Sequence, residues 1–573
     1  MKTQSAFLPF LLVLFSLASL RAQPGPSPGP EKWDAFARQF IESYLKIHPD
    51  LGVYLGRHEF DGLLPDWSPE GLKKQTSWLH QQRDSIHAFD GKGLDSLRHL
   101  EYELILTEIN GDLFWLEDVK QPYRDPTFYS MNPSVYVTQA YAPLENRLAA
   151  YIRFAQGVPK AVAQIKQNLR PPIPRSFIDI GEIIFGGFAS YCKDDVPAVF
   201  GEVKDKALQE EFSVANAGAI RAMNDLKAWL EHQKPTANDS FALGSNLFSQ
   251  MLWVNEHVDL PLPELERIGR QDLERNLAAL RQACDQLAPG KSVRECIAMV
   301  ESDKPPGNLL EVAQKQLKEL KDFVSTQGIA SIPGTEDVYV EESPPYMRWN
   351  SASINIPGPF EKNLPSRYYI TLPDSSWSNK AREEYIPGKA TLLFTSVHEV
   401  WPGHFLQFLH ARQCPSTAGK IFGSYAFSEG WAHYTEEMMW DAGLHKGDPE
   451  AHIGGLKEAL LRNVRFLSAL GLHTGGMTVQ QSEHMFREDA FQDSANAHQQ
   501  ALRGTFDPMY LGYTLGKLMI AKLRDDWCAT RGGRKAWGQF HDIFLSYGAP
   551  PIPLVREIML GPNSGPLVKS ISQ

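Results

Sequence analysis

Apolar residues recur at helical spacing through most of the first 330 residues. Between Trp33 and Leu45 they occupy positions 33, 36, 37, 40, 41 and 45, a spacing typical of one face of an amphipathic helix. The same spacing recurs in residues 95–115, 145–169 and 262–284. Clusters of Pro and Gly separate these segments and break the pattern. The sequence therefore predicts an N-terminal helical lobe over residues 33–330.

The pattern changes between Asp337 and Leu372. Three short runs rich in β-branched and aromatic residues follow one another there, separated by Pro, Gly and Asn: residues 338–340, 353–356 and 368–371. Such runs are typical of short strands. Helical spacing then returns, so the sequence predicts a second lobe over residues 331–573. The expected fold is mainly α, a large multi-helical protein with a small β-sheet.

The N-terminus has the layout of a secretory signal. Residues 1–22 contain Lys2, an apolar run from Phe7 to Leu20 and a small residue at Ala22. Residues 23–32 are rich in Pro and Gly and are predicted to form a tether. Because the apolar run is short for a membrane span, we expect export to the periplasm or the extracellular space, without stable membrane insertion after cleavage. An uncleaved anchor is the alternative.

Composition and charge limit the partners. Of the 573 residues, 43% are hydrophobic and 22% charged, which is typical of a globular protein. The formal net charge of -11, with no basic run, argues against nucleic acid as a partner. The five cysteines lack paired metal spacing. Cys284 and Cys296 are near enough in sequence for a local disulfide, and buried free thiols are the alternative.

The most informative stretch contains His398, Glu399 and His404. Two imidazoles that hold a metal, with a carboxylate directly after the first, form the arrangement of zinc peptidases. The usual spacing of four places both histidines about 40° apart around a helix, whereas the spacing of six here gives roughly 120°. Pro402 has no N–H to donate and Gly403 is conformationally permissive. We therefore predict a break in the helix that turns His404 back toward the metal.

A third ligand is expected on a second helix. Glu429 follows His404 by 25 residues, and His433 lies four further on, on the same helical face. Either side chain could reach the metal, and Glu436 and Glu437 lie a further turn along. The alternative is that the histidines are ordinary polar residues of a core helix with a proline kink. The carboxylate, the interrupted spacing and the acidic second helix together favour a metal.

The run from His398 to His404, with Gln407 and the segment from Glu429 to Ala432, resembles the family catalogued as domain of unknown function 885. That family is regarded as a group of zinc metallopeptidases related to the mostly helical gluzincins, and the similarity extends over most of the mature chain. The resemblance implies that His398, His404 and Glu429 bind Zn²⁺ and that Glu399 is the general base. His433 is expected to orient the ligands, or else to pack on its own helix.

Further residues match later segments of that family. Arg462, Arg465 and His473 resemble a pattern in which the histidine polarises the substrate carbonyl and an arginine holds a carboxylate. Ala469 departs from the acidic residue expected there. Arg503 and Tyr513 match a second segment whose tyrosine and arginine face the cleft, although Gln500 replaces a glutamate found in many relatives. A phenol near zinc can donate to an oxyanion; Tyr513 is the first candidate and Tyr510 the second, with core tyrosines as the alternative.

The sequence thus predicts an exported zinc-dependent peptidase. Glu399 would activate water for attack on a peptide carbonyl that zinc, and Tyr513 or His473, polarise. The peptide substrate is expected to add to an edge of the small sheet and to lie in a deep cleft beside the zinc helix. A zinc hydrolase of another amide or ester is the related alternative. An exported binding or scaffold protein with a spoiled metal site is the alternative of a different class. The oligomeric state stays open.

Overall fold

The computed structural model describes residues 29–344, 351–374 and 376–568. The predicted signal, residues 1–22, and most of the predicted tether lie outside these ranges. The first helix begins at Pro30, so the tether prediction, which ran to residue 32, extended too far. Proline suits the first turn of a helix, where its missing N–H would have no partner.

The residues before the sheet are mostly helical. Their α-helices, named in chain order, are α1 Pro30–Ile47, α2 Pro49–Tyr54, α3 Pro69–Ile86, α4 Ser96–Leu113, α5 Ser134–Thr138, α6 Leu144–Asn168, α7 Arg175–Asp194, α8 Val196–Phe200, α9 Lys206–Glu231, α10 Ser245–Glu256, α11 Leu262–Leu287, α12 Val293–Ser302 and α13 Leu309–Thr326. Several of these helices begin at a side chain that accepts the first free backbone N–H groups; Asp95, for example, accepts from Leu97 and Arg98.

The predicted sheet is confirmed and has three strands: β1 Val338–Glu342, β2 Ala352–Asn355 and β3 Ser366–Ile370. The strand order is β1-β3-β2, with β1 parallel and β2 antiparallel to the central strand β3. The fully buried Tyr368 of β3 places its hydroxyl 3.4 Å from the hydroxyl of Ser396. The sheet therefore lies against the helix that carries His398, as predicted.

Helices make up most of the remaining chain. They are α14 Asn379–Tyr385, α15 Lys389–Glu399, α16 His404–Ala411, α17 Thr417–Ile421, α18 Tyr425–Ala442, α19 Pro449–Thr474, α20 Val479–Glu488, α21 Ser494–Phe506, α22 Gly512–Ala529, α23 Trp537–Ser546 and α24 Ile552–Leu560. The prediction of a mainly α fold is confirmed. None of the helices in the described ranges is both long and apolar enough to cross a membrane.

The hydrophobic core divides earlier than the predicted lobe boundary at residue 330. One cluster is built mainly from residues before Leu243, and the other takes in α10 to α13 together with the C-terminal half. Helix α11 explains the difference because it packs along α19. A Cβ on Gly269 of α11 would lie 2.4 Å from the ring of Phe466. Helical periodicity identifies an element but not the neighbour against which its apolar face packs.

The five cysteines are all buried and unpaired. Among them, Cys284 of α11 and Cys296 of α12 are hydrogen-bonded to each other, and burial raises the pKa of the Cys284 thiol. Of the two alternatives for this pair, the structure contains the buried free thiols.

Candidate metal centre

The predicted helix break separates α15 from α16. Helix α15 ends at Glu399 and α16 begins at His404. Within the break, the Gly403 N–H donates to the carbonyl of Val397 at 3.0 Å. A Cβ on Gly403 would lie 1.8 Å from the carbonyl oxygen of His398. Only glycine permits so close an approach of two backbone segments, so the Pro-Gly pair folds the chain back at this point.

Helix α18 is fixed against this break. The indole N–H of Trp431 donates to the carbonyl of Pro402 at 2.9 Å. On another side, α18 crosses α22 closely, because a Cβ on Gly430 would lie 2.5 Å from the Cα of Gly516. Glu429 directly precedes these two anchored residues, so the two contacts set its position relative to the break and to α22.

The break and the crossing bring three side chains together. The Oε2 atom of Glu429 lies 3.6 Å from Nε2 of His398 and 3.4 Å from Nε2 of His404. The two imidazole rings are 4.9 Å apart, centroid to centroid, despite the spacing of six in the sequence. These residues form the one cluster of metal-ligating groups found in the described ranges, with their ligand atoms within 4.8 Å of one another. His433, the other candidate third ligand, does not belong to it.

The three groups fit a zinc ion. Ligand atoms that surround a zinc ion tetrahedrally, each about 2.0–2.1 Å from the metal, lie roughly 3.4 Å from one another. The two carboxylate–imidazole separations are close to this value. Oε2 of Glu429 is shielded from solvent and has no hydrogen-bond partner in the described part of the chain. Burial lowers the pKa of His398, but the nearby carboxylates of Glu429 and Glu436 outweigh it and raise that pKa to about 9. The cluster therefore favours a positive charge at the point where the three side chains meet.

Glu436 orients His398. Its Oε1 lies 2.7 Å from Nδ1 of His398, and because a carboxylate only accepts, Nδ1 carries a proton and Nε2 is the nitrogen that faces Glu429. Burial raises the pKa of Glu436, but Arg462, 3.5 Å away, and His433 hold it well below its ordinary value. No role for Glu436 was predicted from the sequence, although it lies seven residues after Glu429, two helical turns along the same face.

The orienting role expected of His433 is indirect. Its Nδ1 lies 3.1 Å from Oε2 of Glu436, so it supports the carboxylate that orients His398. Burial lowers the pKa of His433 to about 4, and the ring is neutral. His433 thus belongs to a chain of hydrogen bonds behind the ligands, and within the described residues its ring nitrogens form no hydrogen bond to a ligand.

Glu399, the predicted general base, is the last residue of α15 and directly follows His398. Its side chain is partly exposed, so solvent has access to it. Burial and the negative charge of Glu399 both raise the pKa of Tyr368 in the central strand, against a hydrogen bond with Ser396 that lowers it. Glu399 therefore lies where the sheet and helix α15 meet.

Tyr513 lies between His398 and three arginines. Its ring stacks on that of His398, with 6.2 Å between centroids and 17° between planes. The guanidinium carbon of Arg465 is 4.8 Å from the Tyr513 ring, and those of Arg462 and Arg503 are each 5.9 Å from it. Burial and the charge of Glu429 raise the pKa of Tyr513, while the arginines oppose the rise. The phenol is therefore protonated at neutral pH and able to donate.

The two other tyrosines near these arginines differ in position. Tyr510, the second predicted donor, is fully buried behind Arg503, with 6.0 Å from its ring to the guanidinium carbon. Tyr425, which sequence analysis missed, lies 5.9 Å from the Tyr513 ring and accepts a hydrogen bond from Arg503. No spacing in the sequence connects Tyr425 to the site, because the contact depends on how α18 crosses α22.

The structure does not support the predicted catalytic role of His473. The backbone N–H of Leu243 lies 3.3 Å from its Nδ1, and Nε2 lies 2.8 Å from the carbonyl of Gly504. Both ring nitrogens are thus occupied by backbone groups. Burial also lowers the pKa of His473 to about 4. The ring is a neutral core histidine that ties three segments together, and it has no free nitrogen for a substrate.

These features define a class: a large, mainly α-helical protein with a candidate metal centre of two histidines and one glutamate on three helices. A protein-family model described as "Bacterial protein of unknown function (DUF885)" matches residues 49–559. The chain belongs to this family of bacterial proteins, and the resemblance drawn from its motifs is confirmed at that level.

Two solved structures have the same fold. One is described as a "putative lipoprotein of unknown function" from Shewanella oneidensis; it is 25% identical, with a TM-score of 0.77 over 92% of this chain and 99% of that one. The other, a "putative lipoprotein" from Colwellia psychrerythraea, is 18% identical, with a TM-score of 0.79 over 92% and 98%. No curated protein matches the chain.

Proposed function

We propose that this protein is an exported zinc-dependent peptidase. The observation that carries the proposal is the convergence of His398, His404 and Glu429 across a helix break, with the carboxylate of Glu399 beside the first histidine. Two imidazoles, one carboxylate and a neighbouring carboxylate that is not a ligand are the set that zinc peptidases need.

The chain's own side chains divide the chemistry among them. Zinc at this site would supply a Lewis acid that polarises a water molecule and the substrate carbonyl. Glu399 accepts the proton of the attacking water and returns it to the leaving amine. The Tyr513 hydroxyl, protonated and next to His398, donates to the carbonyl oxygen as negative charge develops. Glu436 keeps His398 in the tautomer that offers Nε2 to the metal.

The sheet supports the binding of an extended peptide. Strand β2 pairs with β3 along one edge, and the described residues pair no strand with its other edge. Helix α15, which carries His398 and Glu399, contacts β2. A peptide that pairs with the free edge of β2 would hold its backbone at a fixed distance from the metal ligands. The deep substrate cleft expected from the sequence is part of this proposal.

The test combines metal content with hydrolysis. Protein purified without its N-terminal 28 residues should contain about one zinc per chain, and it should hydrolyse members of a peptide library, as followed by mass spectrometry. A chelator should remove both properties, and added zinc should restore them. A protein that binds no zinc would contradict the proposal. A zinc protein that leaves every peptide intact but cleaves simple esters or other amides would favour the related hydrolase.

Two matched variants test the role of Glu399. Glu399→Gln should keep the zinc but nearly abolish hydrolysis, because an amide can hydrogen-bond water but cannot accept its proton. Glu383→Gln removes an exposed carboxylate of α14 outside the site and should leave both properties unchanged. Loss of zinc in Glu399→Gln would show that Glu399 is a ligand, and the assignment of roles would be wrong.

A further inference from the structure

Arg465 is a buried guanidinium without a carboxylate partner. Only 7% of the residue is exposed. Its Nε donates to the amide oxygen of Gln500 at 2.8 Å, and its guanidinium carbon lies 4.8 Å from the Tyr513 ring. No carboxylate of the described residues forms an ion pair with it. Burying a charge without a counter-charge is costly, so this position favours an anion that comes from outside the chain.

The neighbouring arginines differ because each has its own acid. Arg462 pairs with Glu458 and lies 3.5 Å from Glu436. Arg503 pairs with Asp507 at 2.9 Å. Burial and the positive charges of these two arginines lower the pKa of Arg465, while the tyrosines Tyr513 and Tyr425 act in the opposite direction. Of the three arginines, Arg465 is therefore the one without an ion pair in the described part of the chain.

Arg465 also lies close to the candidate metal centre. The Tyr513 ring is 6.2 Å from that of His398 and 4.8 Å from the Arg465 guanidinium carbon. The Arg465 guanidinium carbon and the centre of the His398 ring can therefore be no farther apart than the sum of these two distances. About three residues of extended peptide span that length. An anion bound at Arg465 and a carbonyl at the metal can therefore belong to one short stretch of peptide.

Resting on the proposed peptidase function, we propose that Arg465 binds the C-terminal carboxylate of the peptide substrate, so that the enzyme is an exopeptidase that releases one to three residues from the C-terminus. A guanidinium matches a carboxylate with two parallel N–H donors, and the terminal nitrogens of Arg465 donate to no acceptor in the described ranges. Each turnover consumes one water: the scissile C–N bond breaks, the acyl carbon gains the hydroxyl and the amine gains the proton.

The test compares two peptide libraries of identical sequence, one with free C-terminal carboxylates and one with C-terminal amides. Zinc-loaded protein should release short C-terminal fragments from the acids and cleave the amides about ten- to a hundredfold more slowly, the range of a lost charged hydrogen bond. The Arg465→Gln variant should hydrolyse the free-acid peptides about as slowly as the wild type hydrolyses the amides. Its rate on the amides should be nearly that of the wild type. Internal cleavage, or equal rates for acids and amides, would overturn the proposal.

A buried arginine elsewhere in the same lobe provides the control. Arg524 is also buried, but it pairs with Asp525 and stacks on Trp537. Arg524→Gln should lower stability without changing the acid-to-amide ratio. Zinc content and the unfolding transition of both variants show whether each is folded. If Arg465→Gln slows acids and amides by the same factor, the residue only supports Tyr513 and the proposal fails.

Binding to an inactive variant separates this proposal from the peptidase function. Calorimetry with zinc-loaded Glu399→Gln should show that an acetylated hexapeptide of alanine and leucine binds at least tenfold more tightly than its C-terminal amide. The double variant with Arg465→Gln should bind both forms alike. If no library is hydrolysed, the peptidase function fails and this binding difference alone decides the proposal. Equal or absent binding of the two forms would overturn it.

Discussion

The indole nitrogen of Trp431 lies 2.9 Å from the carbonyl oxygen of Pro402. This hydrogen bond joins the helix that carries Glu429 to the break between the helices that carry His398 and His404. Because an unpaired buried carbonyl is costly, the bond fixes the break against α18. The segment that carries Glu429 is thereby tied directly to the segment that carries His398 and His404.

Gly403→Ala should destroy the metal site. The added Cβ would lie 1.8 Å from the carbonyl oxygen of His398, so the break must open and His404 must move. We expect loss of zinc and a fall in the free energy of unfolding of more than about 2 kcal/mol, checked by elemental analysis and urea denaturation. The control Gly187→Ala has open space around its Cβ and should keep full zinc content. A zinc-replete, stable Gly403→Ala protein would contradict the described geometry.

Glu436→Gln should weaken zinc binding without removing a ligand. The hydrogen bond to Nδ1 of His398 loses its charge, and changes of this kind typically cost about 10- to 100-fold in metal affinity. The affinity is measured by competition with a chelator of known strength. The neighbouring Glu437 pairs instead with Lys517 and Arg275, so Glu437→Gln should affect stability but not zinc affinity. Equal zinc affinities for the two variants would refute the orienting role of Glu436.

Tyr513→Phe should lower kcat by about 10²- to 10³-fold, the cost of losing one oxyanion donor. KM should change little, because such a donor acts chiefly in the transition state. The fully buried Tyr510 supplies the matched control, and Tyr510→Phe should retain kcat within a few-fold. A Tyr513→Phe enzyme with raised KM and unchanged kcat would instead assign the phenol to substrate binding.

Stability should decrease above neutral pH through His58. Its ring nitrogens lie 3.0 Å from Asp61 and 2.8 Å from Glu361. Burial lowers the pKa of His58, but these two carboxylates outweigh it and raise that pKa to about 9. Because the folded-state pKa exceeds the unfolded value of about 6.5, the stabilisation is complete below pH 6.5 and is lost as pH rises through 9.

Urea denaturation between pH 6 and pH 10 measures this effect. His58→Gln should be less stable than the wild type at pH 6, and the difference should shrink toward pH 10. His498→Gln, which alters a surface histidine beside Glu483, should keep the wild-type dependence on pH. A difference between His58→Gln and the wild type that is constant over the whole range would exclude the charged histidine as the cause.

The local chemistry of the site was predictable from the sequence. The adjacent His398 and Glu399, the Pro-Gly interruption and the acidic helix that begins near Glu429 all lie in two short stretches. Proline and glycine act on the backbone within a few residues, so the break could be located before its shape was known. The helices and the three-stranded sheet followed from periodicity for the same reason, since the apolar pattern depends only on the element's own geometry.

Contacts between distant segments could not be predicted in this way. Glu436 orients His398 across 38 residues, and Arg465 reaches Tyr513 across 48. His473 matched a family pattern but is tied to the backbone of Leu243 and Gly504, which no spacing indicates. The lobe boundary was misplaced because α11 packs on α19 rather than on its neighbours in sequence.

The sequence by itself determined which residue types carry the chemistry and where the helices start, stop and break. Only the tertiary structure decided which of those residues meet. Tight crossings such as that of Gly430 with Gly516 set the distances between helices, and burial then determined which charges had partners and which did not. The role of a side chain at this site depends on the sequence and on the tertiary structure. Arg465 would be a solvated charge on an isolated helix, whereas beside Tyr513 it is a buried charge without an ion pair among the described residues.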